Sequence, residues 1–208
     1  ASLEVWGGRT PTGWSGELVR LSLDTPEIDE LTLRDPARVV LDDGNVSIGQ
    51  ACLVESQSSL CLQGSLQKSG AVEGRYSFDH VPLGLANVFA AEAMPGQLRG
   101  EIAGEGNIRR DVDGQMFGEA YLSSARAQMV MLDDAPRESV LGQRTLLLYE
   151  NHELRAALRG MNATATLTAG LQNEGSLRAQ LAVTNLAGTS PGIEGKVNAP
   201  MPTLAPFG

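Results

Sequence analysis

Apolar and polar residues alternate along most of this chain with a period of two. In 14–23, Val19, Leu21 and Leu23 share one side, and Arg20 and Ser22 share the other. The pattern returns in Val46-Ser47-Ile48, in Leu60-Cys61-Leu62 and in Tyr76-Ser77-Phe78. It is most regular late in the chain. There Leu154, Ala156 and Leu158 oppose Arg155 and Arg159, Leu167 lies between Thr166 and Thr168, and Leu177, Ala179, Leu181 and Val183 face away from Arg178 and Gln180. Period two puts successive side chains on opposite faces of an extended strand, so each stretch predicts a strand with one apolar and one wet face. Turn compositions punctuate these strands roughly every eight to twelve residues. They include Asp42-Asp43-Gly44-Asn45, Lys68-Ser69-Gly70, Asp111-Val112-Asp113-Gly114 and Asn173-Glu174-Gly175. Asn151-His152 reads as a further turn, and 1–12 as an irregular lead-in.

About a dozen strands at roughly 4.8 Å each make an antiparallel sheet about 60 Å across. A sheet of that extent must curl, close or pack on a second sheet, and its apolar face needs cover. The predicted class is therefore all-β. One exception interrupts it: the apolar run from Pro82 through Ala90-Ala91-Glu92-Ala93-Met94, stopped by Pro95-Gly96, has the composition of one short helix near 82–94. Residues 1–198 read as a single unit, and 199–208, with Pro200, Pro202 and Pro206, as a linker or tail.

Composition agrees with strands. The 24 glycines among 208 residues would be costly in helices but suit turns, bulges and close approaches. Only 4% of residues are aromatic against 42% apolar overall, so the apolar face is built of small aliphatic side chains. The net charge of −9 argues against nucleic acid and against an anionic membrane surface, since both call for a basic patch. No run of apolar residues is long enough to span a bilayer. The chain starts at Ala1 rather than Met, which is the expectation for a processed or excised piece whose targeting segment lies elsewhere.

Chemistry is scarce. The only histidines, His80 and His152, stand alone at strand ends, and no nucleophile elbow accompanies them. Asp42-Asp43 and Asp133-Asp134 fall in turns, where Asp serves the local backbone. Asp111-x-Asp113-Gly114 lacks the remaining oxygen ligands of a calcium loop. Gly100-x-x-x-Gly104-x-Gly106 has no P-loop lysine after it. No catalytic residue, metal ligand or cofactor is expected, and the protein does not read as an enzyme. The Asn45-Val46-Ser47 and Asn162-Ala163-Thr164 acceptor patterns carry no weight by themselves. Cys52 and Cys61 lie on consecutive strands. In an oxidising compartment they pair as a disulfide; otherwise they are buried thiols, or a reactive pair. Leu60 and Leu62 share the apolar side, which leaves Cys61 on the polar one.

The Cys52-Leu53 and Ser59-Leu60-Cys61-Leu62 pair, the Gly74-x-Tyr76-x-Phe78 strand, Val81-Pro82-Leu83-x-Leu85, Leu98-x-Gly100-x-Ile102-x-Gly104 and Gly114-Gln115-x-x-Gly118-x-Ala120 together resemble the TamB family of the translocation and assembly module, within the AsmA-like group. These pieces cover about a third of the chain. The resemblance implies a periplasmic fragment of an envelope-spanning protein, anchored in the inner membrane by an N-terminal helix absent from this sequence. It implies a β-taco, a long curved sheet with an apolar concave groove. It further implies a role in outer-membrane biogenesis, conducting phospholipid acyl chains, or else assisting assembly of outer-membrane proteins. The outer-membrane partner, of the TamA type, would be met through regions outside this chain. The candidate groove lining is Val19, Leu21, Leu23, Val46, Ile48, Leu60, Leu62, Tyr76, Phe78, Leu154, Leu158, Leu167, Leu177, Leu181 and Val183. The competing arrangement is a closed sandwich, in which the same residues form a core.

Overall fold

The computed structural model describes residues 2–25, 28–83, 97–132, 143–171, 175–186 and 190–200. All regular structure among them is strand, in one antiparallel sheet of thirteen. In chain order these are β1 (Ser2–Thr10), β2 (Gly13–Thr25), β3 (Ile28–Leu33), β4 (Ala37–Asp42), β5 (Asn45–Glu55), β6 (Ser58–Leu66), β7 (Val72–Pro82), β8 (Gln97–Arg110), β9 (Met116–Leu132), β10 (Gln143–Arg159), β11 (Asn162–Leu171), β12 (Gly175–Thr184) and β13 (Gly192–Asn198). Spatial order follows chain order, so the sheet is a meander. The one complication is that β3 and β4 lie end to end in a single rank. β2 pairs with β3 through Ser22 and Leu23 and with β4 from Gly13 to Leu18, and β5 completes both on the other side. The helix expected near 82–94 falls mostly in 84–96, outside the described residues. Pro82 itself ends β7, paired with Glu101.

Three sequence readings are corrected. The lead-in is strand β1, and 192–198 form strand β13, which the sequence reading did not find. Both are edge strands and almost wholly exposed, and each carries only two aliphatic residues at alternate positions, Leu3 and Val5 in β1 and Ile193 and Val197 in β13, too short a pattern to mark a strand by itself. Asn151-His152 is not a turn: β10 runs straight through it. Asn151 takes φ 51°, and the register against β11 shifts between Glu150 and Glu153. That is a β-bulge, which absorbs an extra residue without reversing the chain.

Further bulges interrupt β2, β5, β7 and the β8/β9 pair. At β2 the pairs Glu4↔Arg20 and Val5↔Leu18 leave Val19 as the extra residue. Leu18 thereby joins Leu21 on the buried side, although simple alternation assigned it to the wet face. Bulges raise the local twist and bend a strand, and their irregular backbone draws in side-chain donors. Ser58 Oγ donates to the His80 carbonyl at 2.8 Å, and Ser124 Oγ to the Glu101 carbonyl at 2.7 Å. These two serines are among the few buried polar residues.

Among the described residues the buried clusters are small and lie in the N-terminal half, while Ala127 and Ala169 are buried singly farther along. Leu18, Ala37 and Ala51 form one buried cluster with Leu21, Leu33, Val39 and Ile48 around it. Leu31 and Leu53 form a second, joined by Leu21, Leu23, Leu33 and Val81. Val81 stands on β7, two ranks from β5. In a flat sheet about 10 Å would separate those strands, so the sheet curls toward its apolar face here. Among the described residues no second layer covers the rest. The chain exposes 14562 Å², whereas a compact monomer of its 22.0 kDa exposes about 9,300 Å².

Cys52 and Cys61 are directly opposed across β5 and β6, with Cα atoms 4.0 Å apart, and are joined by a disulfide. The bond lies in the rank Cys52–Cys61–Ser77–Glu105, on the polar face, immediately behind Leu53 and Leu60. A short cross-link of this length limits the unfolded chain and fixes the β5/β6 register beside a bulge. Replacing both cysteines (Cys52→Ser/Cys61→Ser) is expected to lower stability by about 2–3 kcal/mol, read as a lower urea midpoint, with the single transition retained.

Candidate functional site

Directly opposed residues of an antiparallel pair share a face, so the register can be followed across the whole sheet. Four parallel rows then emerge on the apolar side. The first runs Leu53–Leu60–Phe78–Gly104–Leu122–Leu154–Leu167–Ala179–Val197. The second runs Ala51–Leu62–Tyr76–Gly106–Ala120–Ala156–Ala165–Leu181–Gly195. The third runs Val39–Ile48–Gly64–Gly74–Ile108–Gly118–Leu158–Ala163–Val183–Ile193. The fourth, nearest the turns at 43–44 and 111–114, runs Arg9–Trp14–Leu41–Val46–Leu66–Val72–Arg110–Met116.

All the candidate lining residues except Val19 fall on this face. Leu177, opposite the buried Ala169, stands next to the first row. They do not converge on one pocket. Leu21, Leu23 and Ile48 pack against the buried clusters, whereas Val46, Leu62 and Leu181 remain 38%, 50% and 45% exposed. Exposure on this scale, repeated along a row, distinguishes an open apolar surface from a core.

The relief of the face comes from residue size. Between β8 and β11 the second row is Gly106–Ala120–Ala156–Ala165, while the first row beside it carries Leu122, Leu154 and Leu167, and the third carries Ile108 and Leu158. Small residues between branched ones leave a furrow running across the strands. At its β7 end two rings lie over the glycines. Tyr76 and Phe78 stack at 6.1 Å with planes 8° apart. A Cβ on Gly104 would meet the Phe78 ring at 2.8 Å, and one on Gly106 the Tyr76 ring at 2.6 Å. Glycine at these points lets the rings lie against the sheet.

The opposite face is polar. Its ranks include Cys61–Ser77–Glu105–Tyr121–Arg155–Thr166–Gln180–Lys196. The Arg155 guanidinium stands 5.3 Å from the centre of the Tyr121 ring, and that of Arg109 5.0 Å from Phe117. Ion pairs such as Arg126–Glu150 at 3.6 Å and Arg75–Glu73 at 3.7 Å are solvent-exposed and contribute little to stability. A depression of about 860 Å³ lies on this side, lined mainly by Gln63, Arg75, Ser77, Glu105 and Arg155. Its lining also includes Leu62, Tyr76, Gly106 and Ala120 of the second row, and a twisted sheet is concave in one direction on each face. Its two arginines and its glutamates, Glu105 and Glu119, offset each other.

The histidines serve the bulges. His80 lies 3.1 Å from the Asp79 carboxylate, and His152 Nδ1 is 3.3 Å from the Ser124 carbonyl. Among the described residues, no three His, Cys, Asp or Glu side chains are placed to share a metal ion, and no helix is long and apolar enough to cross a membrane.

The family model for the TamB N-terminal domain matches the chain over residues 1–208. The chain belongs to the TamB family. TamB proteins form a transport and assembly module of the cell envelope rather than an enzyme family. No curated protein and no solved structure matches the chain. The TamB resemblance read from the central motifs thus extends to the whole length of the chain, including the edge strands that carry none of those motifs.

Glycine size at the furrow's end sets a stability test. Gly104→Val, where a Cβ would collide with Leu122 and Phe78, is expected to cost about 1–3 kcal/mol. Gly8→Val, which meets nothing within 4 Å, is expected to stay within about 0.5 kcal/mol of the parent protein. Thermal melts of the two variants check this pair.

Proposed function

We propose that the apolar face is a trough that conducts phospholipid acyl chains between the inner and outer membranes, within the periplasm and without catalysis. The observation that carries this reading is the run of uncharged, half-exposed aliphatic side chains across the strands, from Leu62 to Leu181. An acyl chain asks only for dispersion contacts and exclusion of water, and each CH2 withdrawn from water contributes about 0.8 kcal/mol. A surface poor in aromatics and hydrogen-bonding groups supplies this along its length without a deep well at any point. A cargo that must keep moving needs binding of this even kind.

A second reading has an observation of its own. β1 and β13 present free, exposed edges, with Leu3 69% and Val197 73% exposed. Such edges can accept an extended segment by strand addition, as an assembly scaffold for outer-membrane β-barrel proteins would. An outer-membrane partner of the TamA type fits either reading.

A photoreactive residue at Leu62 or Leu181 is expected to crosslink to phospholipid in the envelope. Leu181→Arg is expected to abolish lipid transfer while the circular dichroism and melting temperature stay near those of the parent, because the site is exposed. If that variant folds and still transfers lipid, the trough reading fails. If proline substitutions in β13 impair function more than Leu181→Arg does, the scaffold reading gains.

A further inference from the structure

Across the four apolar rows the only charged side chains are Arg9 and Arg110. Both stand in the outermost row, at the margin beside the turns, and both are exposed. Acidic residues outnumber basic ones in this protein, 25 to 16, yet none enters these rows. Among the described residues neither arginine forms an ion pair; on the other face Arg20, Arg75, Arg109, Arg126 and Arg155 do, while Arg38, Arg159 and Arg178 do not. The Arg110 guanidinium reaches over the turn to within 3.8 Å of the position a Gly114 Cβ would occupy.

We propose that this margin is a headgroup lip. The trough takes acyl lipids with an anionic phosphate headgroup, which docks on Arg110 or Arg9 while the acyl chain lies down the rows toward Gly104 and Leu122. The inference rests on the lipid-trough reading above. Length agrees with it. Arg110 and Gly104 are six residues apart on β8, about 20 Å along a strand, and the acyl chains of one leaflet reach about 15 Å. A chain whose phosphate stands at the lip therefore crosses the third and second rows and ends just short of the first. Charge agrees too. A guanidinium matches phosphate geometry by paired hydrogen bonds, and an uncharged floor beside it rejects a second charge. About six strand spacings, some 29 Å, separate Arg9 from Arg110, so these are two independent docking points along one lip. An extended polypeptide held by its backbone and apolar side chains carries no phosphate to such a margin, and an uncharged apolar peptide would bind independently of the two arginines.

The test compares binding of 1-oleoyl-lysophosphatidylglycerol and of 1-oleoylglycerol, both below their micelle concentrations, to the delipidated 208-residue chain. The parent protein is expected to prefer the phosphate-bearing lipid by about threefold to tenfold, falling with added salt. In Arg9→Gln/Arg110→Gln that preference is lost, while 1-oleoylglycerol binds as before. Equal binding of the two lipids by the parent protein overturns the lip, as does a preference that survives in the double variant; either result leaves the trough standing. If neither lipid binds, the trough reading falls and the lip with it, and the same holds if only an extended apolar peptide binds.

Discussion

An antiparallel sheet with one apolar face has to settle what covers that face, and here, among the described residues, most of it is left uncovered. Burial is concentrated where β3 and β4 share a rank and the sheet curls, around Leu18, Ala37, Ala51, Leu31 and Leu53. None of the large side chains is fully enclosed. Beyond β7 the same rows continue as an exposed surface. Stability in that region rests on ladder hydrogen bonds and on cross-strand pairs such as Leu122 with Leu154 and Leu154 with Leu167, each contributing only about 0.2–1 kcal/mol. The folded state thus keeps apolar surface in water, a cost that makes physical sense where something else is meant to occupy the face.

The other features serve that face. Glycine and alanine in the second row make the furrow, and glycine under Tyr76 and Phe78 keeps those rings flat rather than projecting across it. The disulfide and most of the ion pairs are placed behind the sheet, where they hold register without adding polarity to the apolar side. Bulges at Val19 and His80 bend long strands and restore the alternation, so that Leu18 with Leu21 and Phe78 with Val81 fall on one side despite odd spacing.

Much of this was legible in the chain because period two is a strong signal wherever one face is buried. The strands bearing Leu60, Tyr76, Leu154 and Leu181 could be read with their faces, and so could the polar side of Cys61. What escaped did so for physical reasons. The edge strands β1 and β13 bury little and alternate only briefly, through Leu3 and Val5 in one and Ile193 and Val197 in the other, so their signal is short. The bulges break the period locally, which hid Leu18 and made Asn151-His152 look like a turn. The rows themselves could not be read from the sequence, because a row is a property of register between strands. Arg9 and Arg110, far apart in the chain, fall on one margin only once the pairing is known. The family, by contrast, was visible in short glycine- and leucine-bearing motifs of the middle third, which hold the β5–β9 meander together.

The central claim is that the apolar face stays open in a single curled layer, and small-angle X-ray scattering of the chain in solution tests it most directly. A compact 208-residue domain has a radius of gyration of about 17 Å. Twelve ranks at about 4.8 Å, with strands up to about 55 Å long, predict a value above about 20 Å and the distance distribution of a bent sheet. A radius near 17 Å would mean that the face has closed on itself as a sandwich, and would contradict the account.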